Sequence, residues 1–97
     1  MRIITWSTVH RFIEKHADSE RPLRAWRTQI RSRKYPDSDA IKRTFPYASI
    51  IDRHRVVFNI KGNRYRLVAA IHYDKQRLFV RGVFTHEEYD AIDVKTI

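Results

Sequence analysis

Residues 56–70 read VVFNIKGNRYRLVAA, two runs of alternating apolar and polar residues separated by the pair Gly62-Asn63. Such a pair between alternating runs predicts a β-hairpin with a type I′ or II′ turn, and a two-residue turn fixes the strand register. Ile60 then lies opposite Tyr65. In this register one face of the hairpin is apolar and consists of Val56, Phe58, Ile60, Tyr65, Leu67 and Ala69.

The opposite face of the predicted hairpin is basic and polar, and it gathers Arg55, Asn59, Lys61, Arg64 and Arg66. A cluster with this much positive charge is better suited to binding phosphate than to packing in a core.

Composition supports an anionic partner. The chain has 97 residues, 20 Lys and Arg against 11 Asp and Glu, and a net charge of +9. This excess predicts binding to nucleic acid, an acidic protein or a membrane surface, and the alternative is a basic surface that only confers solubility. With 42% hydrophobic residues we expect one folded domain over 1–97. The chain has no cysteine and no apolar run long enough to span a membrane. We therefore expect a soluble, cytoplasmic protein.

Hydrophobic periodicity predicts an α+β fold, with a small antiparallel sheet, two N-terminal helices packed on one face and a short C-terminal helix. The predicted order begins with an edge strand at 2–5 and a helix at about 5–16. A second helix has its N-cap at Asp18-Ser19 and Pro22 in its first turn, runs to Lys34 and is ended by Tyr35-Pro36-Asp37, and one helical turn follows at 39–44. Strands at 55–61, 64–73 and 77–84 then form a meander.

The second predicted helix carries a basic stripe formed by Arg24, Arg27, Arg31 and Lys34. No acidic residue occurs between Arg21 and Lys34. The stripe is either a solvated helix face or a surface that binds phosphates or an acidic partner.

The third strand of the meander extends the basic face. Its apolar side is predicted to consist of Leu78, Val80, Gly82 and Phe84, which places Arg81 on the basic face near Arg66. The segment that follows, residues 85–90, reads THEEYD.

A capping box of Thr85 and Glu88 predicts that a short helix begins in this segment. His86 and Tyr89 then share one helix face. If that face turns toward the sheet, six side chains converge on one concavity: Lys61, Arg64, Arg66, Arg81, His86 and Tyr89.

These residue types suit RNA cleavage without a metal ion. The reaction deprotonates a 2′-hydroxyl, stabilises a pentavalent phosphate and protonates the 5′-oxygen that leaves. Arginine and lysine supply the electrostatic stabilisation, and histidine transfers protons near neutral pH. Tyr89 would orient the phosphate, stack on a base or donate a proton. Each residue also has a structural alternative, because His86 could cap a helix at the surface and Tyr89 could pack in the core.

Other chemistries have little support in the sequence. His10, His16, His54 and His72 show no HxxxH or HxH spacing, so no zinc site is predicted. With glycine only at 62 and 82, the chain has no phosphate-binding glycine loop, and no cofactor is expected.

The run VFNIKGNRYRLV at residues 57–68, together with THEEYD at 85–90, resembles the HigB-type toxins of bacterial toxin–antitoxin systems, within the RelE-like superfamily. Ala25-Trp26 and residues 45–48, FPYA, also fit the family pattern.

The resemblance implies an mRNA interferase that typically cleaves messages on the translating ribosome. It also implies a helix-turn-helix antitoxin encoded beside the toxin, and repression of the operon by the complex, so that operator DNA is contacted only through the antitoxin complex. The six converging residues stand where the family places its chemistry. Arg24, Arg27, Arg31, Lys34, Arg55 and Asn59 are then candidate RNA-binding residues.

One departure from the family pattern lies in the third strand. The family has a bulky residue after the strand arginine and glycine before Thr-His, whereas Gly82 and Phe84 stand here as if exchanged. A glycine inside a strand favours a bulge, which re-aims its neighbours. The rival interpretations are a nucleic-acid-binding module without chemistry, and a degenerate toxin that retains only antitoxin binding.

Overall fold

The computed structural model describes residues 1–97, and its secondary structure follows the predicted order with one added strand. The elements are β1 (Arg2–Ile4), α1 (Trp6–Lys15), a 3₁₀ turn (Ala17–Ser19), α2 (Glu20–Arg31), α3 (Ser38–Thr44), β2 (Ser49–Ile50), β3 (Arg55–Ile60), β4 (Tyr65–His72), β5 (Arg77–Thr85) and α4 (His86–Asp90).

The five strands form one sheet in the order β1-β5-β4-β3-β2. All neighbours are antiparallel except β1, which pairs in parallel with β5. The α+β prediction is therefore confirmed. Strand β2 was not predicted, because a pairing of only Ser49 and Ile50 with β3 leaves no alternating pattern to detect.

The hairpin register is confirmed, since Ile60 pairs with Tyr65. In the turn, the Arg64 amide donates to the Lys61 carbonyl at 3.2 Å. Gly62 has a φ of 64°, but Asn63 is not left-handed, which excludes a type I′ turn with Gly62 and Asn63 as its two central residues. Lys61 also has a positive φ of 53°, a conformation that costs a non-glycine residue about 1 kcal/mol.

The predicted apolar face of the hairpin forms the floor of the core, and α1 and α2 cover it. Helical spacing puts Val9 of α1 and Leu23 and Trp26 of α2 on the buried side. The Trp26 ring meets the Phe58 ring edge to face, with centroids 5.3 Å apart.

None of the helices combines the length and apolar character needed to cross a membrane.

The predicted extent of the second helix was wrong at its end. Helix α2 stops at Arg31 and does not reach Lys34. Tyr35 is fully buried and its hydroxyl donates to the Gln29 carbonyl at 2.9 Å, so the chain must turn inward after Ser32. Lys34 consequently leaves the α2 stripe.

Strand β5 contains a β-bulge that changes which side chains face the core. Val80 pairs with Ala69 and Gly82 with Val68, so Arg81 is the extra residue. Beyond it, Val83 joins the core, while Gly82 and Phe84 face the opposite side of the sheet. The prediction that Gly82 and Phe84 line the core was therefore wrong, because the bulge shifts the alternation by one residue.

The two exchanged residues of β5 form a single packing unit. The Phe84 ring lies over Gly82, and a Cβ atom added to Gly82 would stand 2.5 Å from Cζ of that ring. Glycine at 82 thus supplies the space that the bulky residue at 84 occupies. Val57 and Val68 are also buried on this second face of the sheet, and α4 packs against β4 and β5.

We expect Gly82→Ala to lower the free energy of unfolding by about 1 kcal/mol, because the half-buried Phe84 ring must move. Urea denaturation of the single variant measures this cost. In a Phe84→Ala background the same substitution should cost nothing. An equal cost in both backgrounds would show that the ring is not the reason.

Candidate functional site

The tip of the β3–β4 hairpin and the start of α4 lie side by side. Thr85 pairs with Tyr65, and the His86 amide donates to the Arg64 carbonyl at 3.2 Å. The predicted capping box is present, with Thr85 and Glu88 each accepting from the other's backbone amide. The sheet register and this cap together fix where His86 leaves the sheet.

An open cleft of about 550 Å³ lies between these two segments. Its walls come from the end of α1, the hairpin and the start of α4, and its lining residues are His16, Asn63, Arg64, Tyr65, Thr85, His86 and Glu87. His16 stacks on Phe12 with centroids 4.4 Å apart, which holds the imidazole at the cleft wall.

Asp18, in the 3₁₀ turn, connects the helix layer to the hairpin tip. Its carboxylate accepts from the Tyr65 hydroxyl at 2.6 Å and from Lys61 Nζ at 2.9 Å, and Arg64 Nε lies 3.5 Å away. The Tyr65 and Lys61 hydrogen bonds lower the pKa of Asp18 to about 2. The hydrogen bond to Asp18 raises the pKa of Tyr65. Both basic side chains therefore stay anchored while their remaining donors face solvent.

His86 has a carboxylate partner on its own helix. Its Nδ1 lies 3.1 Å from Asp90 Oδ2, one helical turn away. When Nδ1 donates to Asp90, Nε2 is left free to exchange a proton with a ligand in the cleft. The side chain is 55% exposed, so a substrate can reach it.

Arg66 and Tyr89 form a second pair beside the cleft. The Arg66 guanidinium carbon lies 5.7 Å from the Tyr89 ring centroid, and Nη1 donates to the Asn63 carbonyl at 2.8 Å. Asn59 Nδ2 donates to the Asn63 side chain at 3.1 Å. Arg66 is thus oriented by one ring and one carbonyl, with most of its five donors uncommitted.

Of the six predicted catalytic residues, Arg64 and His86 line this cleft together, and Lys61 is linked to Arg64 through Asp18. Arg66 and Tyr89 form a separate pair with each other. The sixth, Arg81, was misplaced by the register prediction. It is exposed on the bulge and borders a different cleft, between α1 and the part of β5 that extends beyond its pairing with β1. The two clefts meet at His16, which lines both.

Arg55, a predicted RNA-binding residue, lies away from the tip. It pairs with Ala70, at the opposite end of β3, and is held by Asp52 at 3.4 Å and by the Ile97 backbone oxygen. The structure does not bring it to the site.

The basic stripe on α2 is smaller than predicted. Arg24, Arg27 and Arg31 line one shallow surface with Thr28 and Ser32. Arg24 is paired with Glu20 at 2.9 Å, and Arg27 lies over the Trp6 ring at 4.6 Å. Lys34 instead borders a cleft with Arg53, His54 and His72.

Sequence reasoning missed four polar residues of the site. Asp90 was detectable, since it stands four residues after His86 in a predicted helix. Asp18, His16 and Asn63 had no such signal, because tertiary packing alone brings α1 and the 3₁₀ turn to the hairpin. No group of three His, Cys, Asp or Glu side chains is placed to hold a metal ion.

An α+β fold with basic residues on the sheet and a histidine at the start of the last helix fits what the resemblance to the RelE-like class of toxins implies. The family model described as HigB_toxin, the RelE-like toxic component of a toxin–antitoxin system, matches residues 19–92. The chain therefore belongs to the HigB toxin family.

Curated relatives agree with this assignment. The chain is 31% identical over 93 residues to a protein of Escherichia coli K12 named mRNA interferase toxin HigB, and the match covers 93% of this chain and 88% of the relative. Proteins of Escherichia coli O157:H7 and Shigella flexneri, each named mRNA interferase HigB, match with the same identity and coverage.

We expect Asp18→Asn to lower the unfolding midpoint at neutral pH, because three hydrogen-bonded or charged partners lose their carboxylate. The pKa of Asp18 is lowered, so its contribution is complete above about pH 4 and is lost as the pH falls through about 2. Thermal unfolding of both proteins against pH should therefore show a difference that shrinks with acid.

Asp74→Asn is the matched control, since Asp74 is an exposed carboxylate without a hydrogen bond or ion pair. A wild-type advantage over Asp18→Asn that stays constant down to pH about 2 would contradict the role given to this carboxylate.

Proposed function

We propose that residues 1–97 act as one toxin domain that cleaves mRNA at the hairpin tip without a metal ion. The observation that supports this proposal is that Arg64 and His86 line one cleft and are joined by a backbone hydrogen bond. Arg64 would bind the phosphate and His86 would transfer a proton. The names of the three relatives support mRNA as the substrate.

The reaction assigns a role to each group at the tip. The 2′-oxygen attacks the adjacent phosphorus, a 2′,3′-cyclic phosphate forms, and the bond to the 5′-oxygen breaks. Arg64 and Arg66 stabilise the charge that develops on the phosphate oxygens. His86 accepts the 2′-hydroxyl proton at Nε2 and then donates it to the leaving 5′-oxygen, because Asp90 occupies Nδ1.

Lys61 acts electrostatically in this scheme. Its Nζ is paired with the Asp18 carboxylate at 2.9 Å, which holds its positive charge beside the hairpin tip. Tyr89 orients Arg66 through its ring, at 5.7 Å from the guanidinium carbon. Arg81, in the neighbouring cleft, would hold RNA that flanks the scissile phosphate.

We place this activity in the cytoplasm, on the translating ribosome, with ribosomal RNA or an acidic antitoxin segment held by the α2 stripe. A helix-turn-helix antitoxin would neutralise the toxin, and operator DNA would be contacted only by their complex. The support for a second interface is that Arg24, Arg27 and Arg31 share one surface away from the hairpin tip.

We expect His86→Ala to reduce cleavage about 10²–10⁴-fold and Arg66→Ala about 10²–10³-fold, since the first loses proton transfer and the second loses charge stabilisation. Primer extension on one abundant message after induced expression measures this, as new 5′ ends that wild type produces and the variants do not.

Lys75→Ala is the control, because Lys75 is an exposed cation in the β4–β5 turn at the other end of the sheet. If wild type leaves messages intact, or if a folded His86→Ala protein cuts like wild type, the chain is a binding module or a toxin without this chemistry.

We expect the double substitution Arg24→Ala and Arg31→Ala to weaken association with ribosomal RNA and to flatten its salt dependence, by about 0.7 in the log–log slope for each phosphate that is no longer neutralised. Filter binding over a range of salt concentrations measures the slope. The control is the double substitution Arg43→Ala and Lys75→Ala, which removes the same amount of charge elsewhere and should leave the slope unchanged. An unaltered slope in the α2 variant would assign the stripe to the antitoxin.

A further inference from the structure

Tyr47 is the most exposed large hydrophobic side chain of the protein, with 81% of its surface accessible. A single exposed aromatic is ordinary by itself. This one stands on an unusually well-fixed turn, in which the Ala48 amide donates to the Phe45 carbonyl at 3.0 Å. Lys42 Nζ donates to the carbonyls of Pro46 and Ala48, each at 2.8 Å.

Both ends of this turn are anchored in the core. The Phe45 ring packs edge to face on Phe58 with centroids 5.1 Å apart, and Ala48 is 3% exposed. The turn therefore holds the Tyr47 backbone in place while its ring projects outward. A ligand that binds this ring loses little free energy in ordering the backbone that carries it.

The Tyr47 turn forms one wall of a cleft of about 430 Å³. The opposite wall is the hairpin, through Asn59, Gly62 and Asn63. Asn63 also lines the cleft that contains Arg64 and His86, so the two clefts share this wall residue. The hairpin tip therefore borders both clefts.

The chemistry of this cleft differs from that of its neighbour. All nine lining residues are uncharged, and they combine aromatic rings with two carboxamides. The Asn59 and Asn63 side chains share one hydrogen bond at 3.1 Å, which leaves further amide donors and acceptors. Strand β2 pairs only with Val56 and Val57, so the outer edge of β3 has no strand partner beside the cleft.

We propose that this cleft is a base-binding subsite, in which Tyr47 stacks on the RNA base next to the scissile phosphate and the Asn59–Asn63 pair contacts the base edge. The proposal rests on the proposed function, because the phosphate must lie at Arg64 and His86. A nucleobase is planar, uncharged and rich in edge donors and acceptors, which matches the lining. An acidic antitoxin segment would find no cation in this cleft.

The test is an abasic scan of a short, fully 2′-O-methylated RNA that cannot be cleaved, with affinities measured for wild type and three variants. Removing one particular base should lower the RNA affinity of the wild-type protein about 10-fold, as expected when a stacking interaction is removed. Tyr47→Ala should bind intact RNA about 10-fold more weakly and should be insensitive to that base.

Two further variants serve as controls. Tyr47→Phe keeps the aromatic ring, so its RNA affinity should stay within about 2-fold of that of the wild-type protein. Ile50→Ala removes the other exposed large hydrophobic side chain, which is 39% accessible and lies outside the cleft, and should change neither affinity nor base dependence.

The subsite is overturned if no single base matters to wild type, if the losses from Tyr47→Ala and from base removal simply add, or if Tyr47→Ala weakens antitoxin binding alone. These outcomes are independent of catalysis, because the RNA cannot be cut. Message cleavage by the wild-type protein is measured separately. If the effect of removing the base depends on Tyr47 but no message is cleaved, the nuclease activity is refuted and the base-binding subsite is supported.

Discussion

One extra residue in β5, Arg81, sets the register on which the candidate site depends. Without this bulge, Val83 would face away from the core and the alternation of β5 would not match the hairpin. With it, Thr85 pairs with Tyr65 and caps α4 at the hairpin tip. His86 then leaves the sheet directly beside Arg64. The placement of His86, the proposed proton-transfer residue, is therefore a consequence of strand register.

The bulge also accounts for the exchanged pair in this strand. Because Gly82 and Phe84 both face the second side of the sheet, the Phe84 ring fills the space that Gly82 leaves by having no side chain. The exchange is accommodated locally, and α4 still begins beside the hairpin. The sequence hint for a degenerate toxin is thus explained by packing.

Most of the fold was predictable because its hairpin and helices are encoded locally. The Gly62-Asn63 turn fixed the register of β3 and β4, and the Thr85 capping box fixed the start of α4. Asp18 shows the limit, since its contacts with Lys61 and Tyr65 span more than forty residues along the chain. Such contacts follow from packing of the helix layer on the sheet, which no local pattern specifies. The facing of β5 failed for a related reason, because one bulge inverts every position after it.

The central claim is that RNA is cut at the hairpin tip, between Arg64, Arg66 and His86. The most direct measurement is a crystal structure of the protein with a 2′-O-methylated RNA. We expect one phosphate within hydrogen-bonding distance of both arginines, with His86 Nε2 near its 2′- or 5′-oxygen. RNA lying along α2 with the hairpin tip empty would contradict the account.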